Sequence, residues 1–339
     1  MSSPARPRVS VIVPGKDAEN YIADTLTSLT RQMPDPHDLE VIVVNDGSKD
    51  STGDIAESYS SRLPNLKVLT NAKPSGLANA RNQGLAESTG RYVVYLDSDD
   101  WLAPRRLEVL ADAMEAFRVD FVRSDHTTVD GRKRNIARAP QARRGVVLNP
   151  RDSILPATDS TMVDYPYAWA GMFDRTIEQD GLLTFPKGLH TAEDRPWIWQ
   201  LFLKSRSYAV VDAPTLCYRR SVSGSLTSTY DRRQLDIIPA LRTTLDLILA
   251  DKEAERFLPK LTRTTFALVA HHMSRSRKMT PDVRRDLKAG ARDLFAAIPA
   301  NVLAHEVRYL KRERERLLHG LLPHLSKDVS FEPAEEATR

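Results

Sequence analysis

Four short β-branched runs punctuate the first hundred residues, Val9–Pro14, Glu40–Asp46, Leu66–Leu69 and Arg91–Asp97, and each runs into polar or turn-forming residues. Apolar runs of this length, bounded in this way, predict buried strands. Between them lie segments of helical length. Glu19–Arg31 sets Ile22, Leu26 and Leu29 on one face, Ser51–Ser61 follows, and Leu77–Ser88 spaces Leu77, Ala80, Arg81 and Leu85 as a helix would. Strand and helix alternate, which predicts an α/β fold with a doubly wound, mostly parallel sheet.

Beyond Leu102 the alternation loosens. A helix is expected around Arg105–Phe117 and a strand near Asp120–Arg123, while Gly131–Gly145, with six basic and no acidic residues, reads as a loop. From about Asp231 to Leu322 the period is helical throughout, as in Ile238/Leu241/Leu245/Ile248 and Leu303/Val307/Leu310/Leu317/Leu321. A boundary near Ser228 therefore divides a first domain, 1–228, from an all-helical domain, 229–325, followed by a tail over 326–339. No internal repeat is visible.

The chain has 339 residues, 41% hydrophobic and 28% charged, a balance that excludes disorder as the main state and allows two cores. Its net charge of +4 is too small for a whole-protein field directed at nucleic acid. The distribution says more: residues 1–230 carry net −1 and residues 231–339 net +5. A single cysteine, Cys217, excludes an intramolecular disulfide and a cysteine-based zinc site and suits a reducing compartment. With neither an apolar leader nor a run near the ~18 residues of a membrane span, a cytoplasmic chain is expected.

In an open parallel sheet, ligands sit beyond the carboxyl ends of the strands. Three such ends carry polar groups here: Pro14-Gly15-Lys16-Asp17, Asn45-Asp46-Gly47-Ser48 and Asp97-Ser98-Asp99-Asp100. Asp46, held by a turn, can accept from a base N–H, and Arg81 can reach a phosphate or ribose with its planar fork. Alone, Asp46 would read as a turn former. Three carboxylates in four residues repel unless a cation joins them, and a hard divalent ion, Mg²⁺ or Mn²⁺, takes one or two of them together with substrate phosphates. Glu193-Asp194-Arg195-Pro196 precedes an apolar segment, so Asp194 could cap a helix, and a carboxylate so placed can also take a proton from a hydroxyl nucleophile. His190 is a rival base.

These residues together resemble glycosyltransferase family 2, the inverting, nucleotide-sugar-dependent enzymes of the GT-A fold. The likeness rests on Val9–Pro14 with Glu19-Asn20-Tyr21-Ile22, on Val44–Thr52, and on Gly76–Leu85 through Gly90 to Asp100. It continues in Phe185-Pro186 to Asp194, Tyr218-Arg219-Arg220 and Gly224–Thr227, and so spans roughly residues 8–228. It implies that Asp46 binds the base, usually uracil, that Asn71 and Arg81 lie along the nucleotide, and that Pro14, Asp17 and Ser98 belong to the donor pocket. It implies further that Asp97 sits near the ribose and metal, that Asp99 binds the metal, and that Asp194 is the base. Arg219, Arg220 and Ser225 match a segment that closes over the diphosphate, with either arginine as the inward one. One departure stands out: Lys16 occupies a position where an aromatic ring is usual, which removes stacking on the nucleobase.

The resemblance implies that Asp194 deprotonates an acceptor hydroxyl, which attacks the anomeric carbon opposite the departing diphosphate and inverts its configuration. A dinucleotide-binding dehydrogenase is disfavoured because the first turn lacks G-x-G-x-x-G. A degenerate, non-catalytic polymer-binding protein is the other reading, against which Asp97, Asp99 and Asp194 argue. Without a membrane span, transfer of single sugars is expected rather than processive synthesis, with peripheral membrane contact left open. Arg132, Lys133, Arg134, Arg138, Arg143 and Arg144 suit a polyanionic, teichoic-acid-like acceptor. The Leu303–Leu321 stripe suits either homo-oligomer assembly, as in some relatives, or packing within the chain.

Overall fold

In the computed structural model of the protein, residues 6–220, 222 and 230–323 are described. The boundary expected near Ser228 and the tail 326–339 lie outside them. The chain divides into two compact units: Met1–Pro150, Tyr165–Lys187 and Leu203–Ser223 form one, and Arg151–Asp164, Gly188–Phe202 and Gly224–Arg339 the other.

The first unit alternates as its sequence requires: β1 (Val9–Gly15), α1 (Ile22–Leu29), β2 (Leu39–Asn45), α2 (Thr52–Glu57), β3 (Asn65–Thr70), α3 (Leu77–Glu87) and β4 (Tyr92–Tyr95). Then come β5 (Trp101–Leu102), α4 (Arg106–Phe117), β6 (Phe121–Arg123), β7 (His126–Asp130), β8 (Lys133–Ala137) and β9 (Gly171–Asp174). After helix α5 (Asp194–Lys204), which belongs to the second unit up to Phe202, the first unit closes with β10 (Tyr208–Val210) and β11 (Leu216–Arg219). Seven strands form one sheet in the order β10-β6-β9-β4-β1-β2-β3. Strands β3, β2, β1 and β4 run parallel, and β9 lies antiparallel between β4 and β6. Every residue of β1 and β2 is buried, which is why apolar residues predominate in both; the buried Ser10 hydroxyl donates to the buried Glu40 carboxylate.

A four-stranded sheet, β5-β11-β7-β8, stands beside it in the same unit. It corrects one expectation. Gly131–Gly145 is not all loop, because Lys133–Ala137 pairs antiparallel with β7 as a hairpin strand. Lys133, Arg134, Asn135 and Ile136 are all exposed, so the strand lacks the alternation that normally marks one.

The second unit is helical: α6 (Ile237–Leu249), α7 (Ala254–Arg275), α8 (Pro281–Ala297), α9 (Ala300–Val307) and α10 (Arg312–Leu318). Leu241, Leu245 and Ile248 are buried as their spacing requires. The stripe Leu303–Leu321 is split between α9 and α10, and Leu310 falls in the connection. Two ion-pair sets tie the segment Arg151–Asp164 to these helices. Arg151 forks onto Asp251 at 2.6 and 3.0 Å, and Lys260 reaches Asp164 at 2.5 Å.

Helix α3 lies on β1 and β2. A Cβ on Gly84 would sit 2.4 Å from the Ile12 methyl and 3.3 Å from that of Val44, so the missing side chain sets how closely helix and sheet approach. Gly84→Ala is expected to destabilise the protein by about 1–3 kcal/mol despite alanine's better helix propensity. Urea unfolding checks this; an unchanged or raised midpoint would show that the sheet yields at Ile12.

Candidate functional site

The carboxyl ends of β1, β2 and β4 meet where the strand order reverses, and short hydrogen bonds join the loops that follow. The Asp46 N–H donates to Gly15 O at 2.8 Å and the Asn71 N–H to Asn45 O at 2.9 Å. The Asp17 N–H donates to Ser48 Oγ at 3.0 Å, and Asp17 Oδ1 accepts the Lys49 N–H at 2.9 Å. Pro14 is buried in β1, whereas Lys16 and Asp17 are exposed. Asp17 therefore joins the first two strand ends, and its φ of 51° gives the tight turn that lets it do so.

Asp46 is buried and accepts four hydrogen bonds. Oδ1 takes Asn71 Nδ2 at 2.9 Å and the Ser75 N–H and Oγ–H, each at 2.8 Å, and Oδ2 takes the Gly76 N–H at 2.8 Å. Burial opposes its charge, yet the bonds from Asn71, Ser75 and Gly76 prevail and hold its pKa below the ordinary value. Oδ1 is saturated; Oδ2 keeps a lone pair for a further donor. The loop can approach because Gly47, at φ 68°, has no side chain where a Cβ would lie 2.5 Å from Pro74 N. Asn71 is itself locked by a reciprocal amide pair with Gln83, at 3.0 and 3.1 Å. Gln83 was missed as a site residue, although it stands two positions from Arg81 on the same helix.

Beyond β4 comes the acidic turn. Arg81, buried on α3, donates to Asp97 Oδ1 at 2.8 Å and lies over the Phe185 ring at 5.0 Å. The Ser98 carbonyl accepts from Thr25 Oγ1 at 2.9 Å. Asp99 is largely buried, and burial together with the charge of Asp97 pushes its pKa up to about 6. Asp100 is fully buried: Oδ1 accepts the Arg219 N–H at 2.7 Å, and Oδ2 has no partner among the described residues. Burial and its two acidic neighbours raise its pKa well above the ordinary carboxyl value.

The two candidate arginines of β11 and its end differ. The Arg219 guanidinium lies over the Trp101 ring at 4.6 Å and the Tyr21 ring at 5.1 Å, donates to Asp99 O at 2.9 Å and pairs with Asp24 at 2.9 Å. It is committed to holding the acidic turn. Arg220 is exposed and rests on Tyr218, donating to its hydroxyl at 3.4 Å. Tyr21, Asp24 and Trp101 were missed as partners of Arg219, since the link spans almost the whole unit in sequence. Ser225 lies outside the described residues.

Asp194 belongs to the other unit. It is the first residue of α5 rather than the cap before it, and it is half-buried beside Arg195 Nε at 3.7 Å. The strand of chain leading to it is fastened by Asp236, whose Oδ2 accepts the His190 N–H at 2.5 Å and the Thr191 N–H at 3.2 Å. Thr191 Oγ1 donates to Arg233 O at 2.7 Å. His190 thus contributes its backbone to the loop that presents Asp194. Asp236, the residue that holds this loop, carries no local motif.

Comparison with known proteins bears on the family and the fold. The family model described as Glycosyl transferase family 2 matches residues 10–179. The chain is 28% identical over 217 residues to "Uncharacterized glycosyltransferase EpsJ" of Bacillus subtilis (strain 168), covering 63% of this chain and 62% of EpsJ. It is also 28% identical over 248 residues to the poly(ribitol-phosphate) beta-N-acetylglucosaminyltransferase TarS of Staphylococcus aureus (strain MW2), 73% of this chain but 41% of TarS. The chain thus spans less than two thirds of either relative. The crystal structure of S. aureus TarS 1-349 in complex with UDP-GlcNAc superposes with a TM-score of 0.72 at 24% identity, covering 88% of this chain and 83% of that one. The mannosyltransferase PcManGT of Pyrobaculum calidifontis, in complex with GDP-Man and Mn²⁺, superposes with a TM-score of 0.52 at 19% identity, covering 92% and 84%. Fold and sequence model agree on a GT-A-type architecture, and the chain belongs to glycosyltransferase family 2.

Proposed function

We propose that this chain is a metal-dependent inverting transferase that moves a sugar from a nucleotide-diphosphate donor, a UDP-sugar, to a hydroxyl of a polymeric, anionic, teichoic-acid-like acceptor. The observation that carries the reading is the turn Asp97–Asp100, where burial and mutual repulsion raise Asp99 to about 6 beside the paired Asp97. Two half-buried carboxylates with an excess of negative charge fit a hard divalent cation, Mn²⁺ or Mg²⁺, and the donors are all oxygen. Among the described residues no three metal-ligating side chains converge, so Asp99 and Asp97 would hold the ion only together with donor phosphates. Bound there, it would offset charge on the departing diphosphate.

The chain's own residues supply the rest. Asp46 Oδ2 accepts a base N–H, with Asn71 and Ser75 fixing its orientation, and Arg81 with Asp97 lines the ribose side. Arg220, exposed and resting on Tyr218, meets the diphosphate, while Arg219 keeps the turn in place. Asp194 takes the proton of the acceptor hydroxyl as that oxygen attacks the anomeric carbon, and the configuration inverts. The acceptor reading is supported by the hairpin: Arg132, Lys133, Arg134, Arg138 and Arg143 are exposed, whereas Arg144 is neutralised by Asp125 at 2.8 Å. No described helix is long and apolar enough to cross a membrane.

Replacing Asp194 with Asn is expected to lower transfer by a factor of about 10²–10⁴ while UDP affinity stays unchanged; transfer at the wild-type rate would remove Asp194 from the mechanism. Serine at the five exposed hairpin positions should weaken activity towards polyribitol phosphate and flatten its fall between about 50 and about 500 mM salt. An unaltered salt profile would separate the hairpin from the acceptor.

Asp99 yields a stability test whose sign is fixed. A carboxyl raised from 3.8 to about 6 costs the fold stability when ionised. That cost is complete above the folded pKa and vanishes as the pH falls through 6 towards the unfolded value. In EDTA, Asp99→Asn should therefore stabilise the protein by about 1–3 kcal/mol at about pH 7.5 and by almost nothing near pH 4. Urea unfolding of both proteins at both pH values checks it. Equal stability at the higher pH would mean that the turn carries no such strain.

A further inference from the structure

Within the first unit, the start of β7 buries a histidine whose tautomer can be worked out from its neighbours. His126 Nδ1 lies 2.5 Å from the Tyr165 hydroxyl, and that hydroxyl lies 3.1 Å from Ser124 O. With the phenolic hydrogen directed at the Ser124 carbonyl, which can only accept, Nδ1 carries the hydrogen shared with Tyr165. Nε2 then holds a bare lone pair. It is buried, and it has no hydrogen-bond partner among the described residues. Burial, with the Arg106 and Arg123 guanidiniums behind it, pushes the ring down to about 4, so it stays neutral.

Besides Tyr165, whose centroid lies 5.5 Å away, three further rings surround it. The Tyr167 and Trp169 centroids lie 4.9 and 4.7 Å from the imidazole, both edge-on, and Tyr218 lies at 6.2 Å. Tyr167 stacks on Trp169 at 4.6 Å and 22°, and Trp169 lies 5.1 Å from Tyr218. Trp169 is buried and backs the cluster, whereas Tyr167 and Tyr218 are half-buried and offer surface. Tyr218 immediately precedes Arg219, whose N–H and Nε–H hold Asp100 and Asp99, so the cluster adjoins the acidic turn.

We propose that His126, Tyr167 and Tyr218, backed by Trp169, form a subsite for a sugar or polyol in which one hydroxyl donates to His126 Nε2 and the C–H surface packs on the two tyrosine rings. An unfilled buried acceptor selects a ligand O–H, and aromatic faces select C–H groups; a carbohydrate supplies both on one molecule. A cation is disfavoured by the two buried guanidiniums. The subsite rests on the transferase reading and deepens it, since it would determine which hydroxyl pattern is accepted, whether on the donor sugar or on the acceptor.

The test uses the full chain with Mn²⁺, and calorimetry with UDP, UDP-glucose, UDP-galactose and UDP-GlcNAc. His126→Asn keeps a donor for Tyr165 and removes the Nε2 acceptor; Tyr167→Leu removes an outer ring that packs on both members of the buried pair but keeps their hydrogen bond. In the wild type labelled with ¹⁵N-histidine, the Nε2 resonance of His126 should shift with a UDP-sugar, or with polyribitol phosphate, and not with UDP. A donor subsite predicts that both variants lose about tenfold in affinity for the tightest UDP-sugar and nothing for UDP. An acceptor subsite predicts unchanged donor affinity and a KM for polyribitol phosphate raised by a similar factor. If the resonance stays still and folded variants alter neither quantity, the subsite is overturned while UDP binding leaves the transferase reading intact. Failure of the wild type to bind UDP at all would instead overturn that reading, and the subsite with it.

Discussion

Three carboxylates follow β4 within four residues, and the way their repulsion is contained organises most of the first unit. Asp97 is paired by Arg81 from α3, Asp100 is buried with a raised pKa and accepts the Arg219 N–H, and Asp99 has a raised pKa and no ion-pair partner among the described residues. Arg219 reaches the turn from β11 and is gripped by Tyr21, Trp101 and Asp24, so the first helix and the second sheet both brace it. A charge-rich turn assembled in this way is costly unless something shares its charge. Such a turn has a reason to persist where a cation and a diphosphate complete it.

The strand ends meet the turn through a second, complementary device. Asp46 holds the Asn71–Gly76 loop by four bonds, and its own carboxylate is kept ionised by them. These strand ends are thus preorganised, which would lower the ordering cost of binding the proposed donor. In the helical unit Asp236 does the same for the segment that leads to Asp194, with backbone N–H groups as the partners.

The parallel core was legible because β1, β2 and β4 are buried on both faces and its helices carry one apolar stripe; β1 to β4 and α1 to α4 stand where the periodicity predicts them, to within a few residues. The hairpin strand Lys133–Ala137 was not legible. Its side chains are almost all exposed, so no alternation marks it, and its pairing with β7 is a tertiary fact. The acidic turn and Asp46 could be singled out because strand ends carry ligand chemistry in such sheets. What sequence could not give was the partnership of side chains far apart in the chain. Arg219 with Asp24 is one such pair, Asn71 with Gln83 another, and His126 with the rings of Tyr167, Trp169 and Tyr218 a third. Likewise, Arg219 and Arg220 are equivalent as letters and differ only in what surrounds them.

In the proposed function the acidic turn binds a nucleoside diphosphate through a divalent cation. It is tested most directly by titrating UDP into the wild-type protein with Mn²⁺ and with EDTA, across a pH range that brackets the pKa of Asp99 at about 6. The account predicts clear Mn²⁺-dependent binding at neutral pH, with the enhancement fading as the pH falls below that value. UDP affinity that is the same in Mn²⁺ and in EDTA, at every pH, would contradict it.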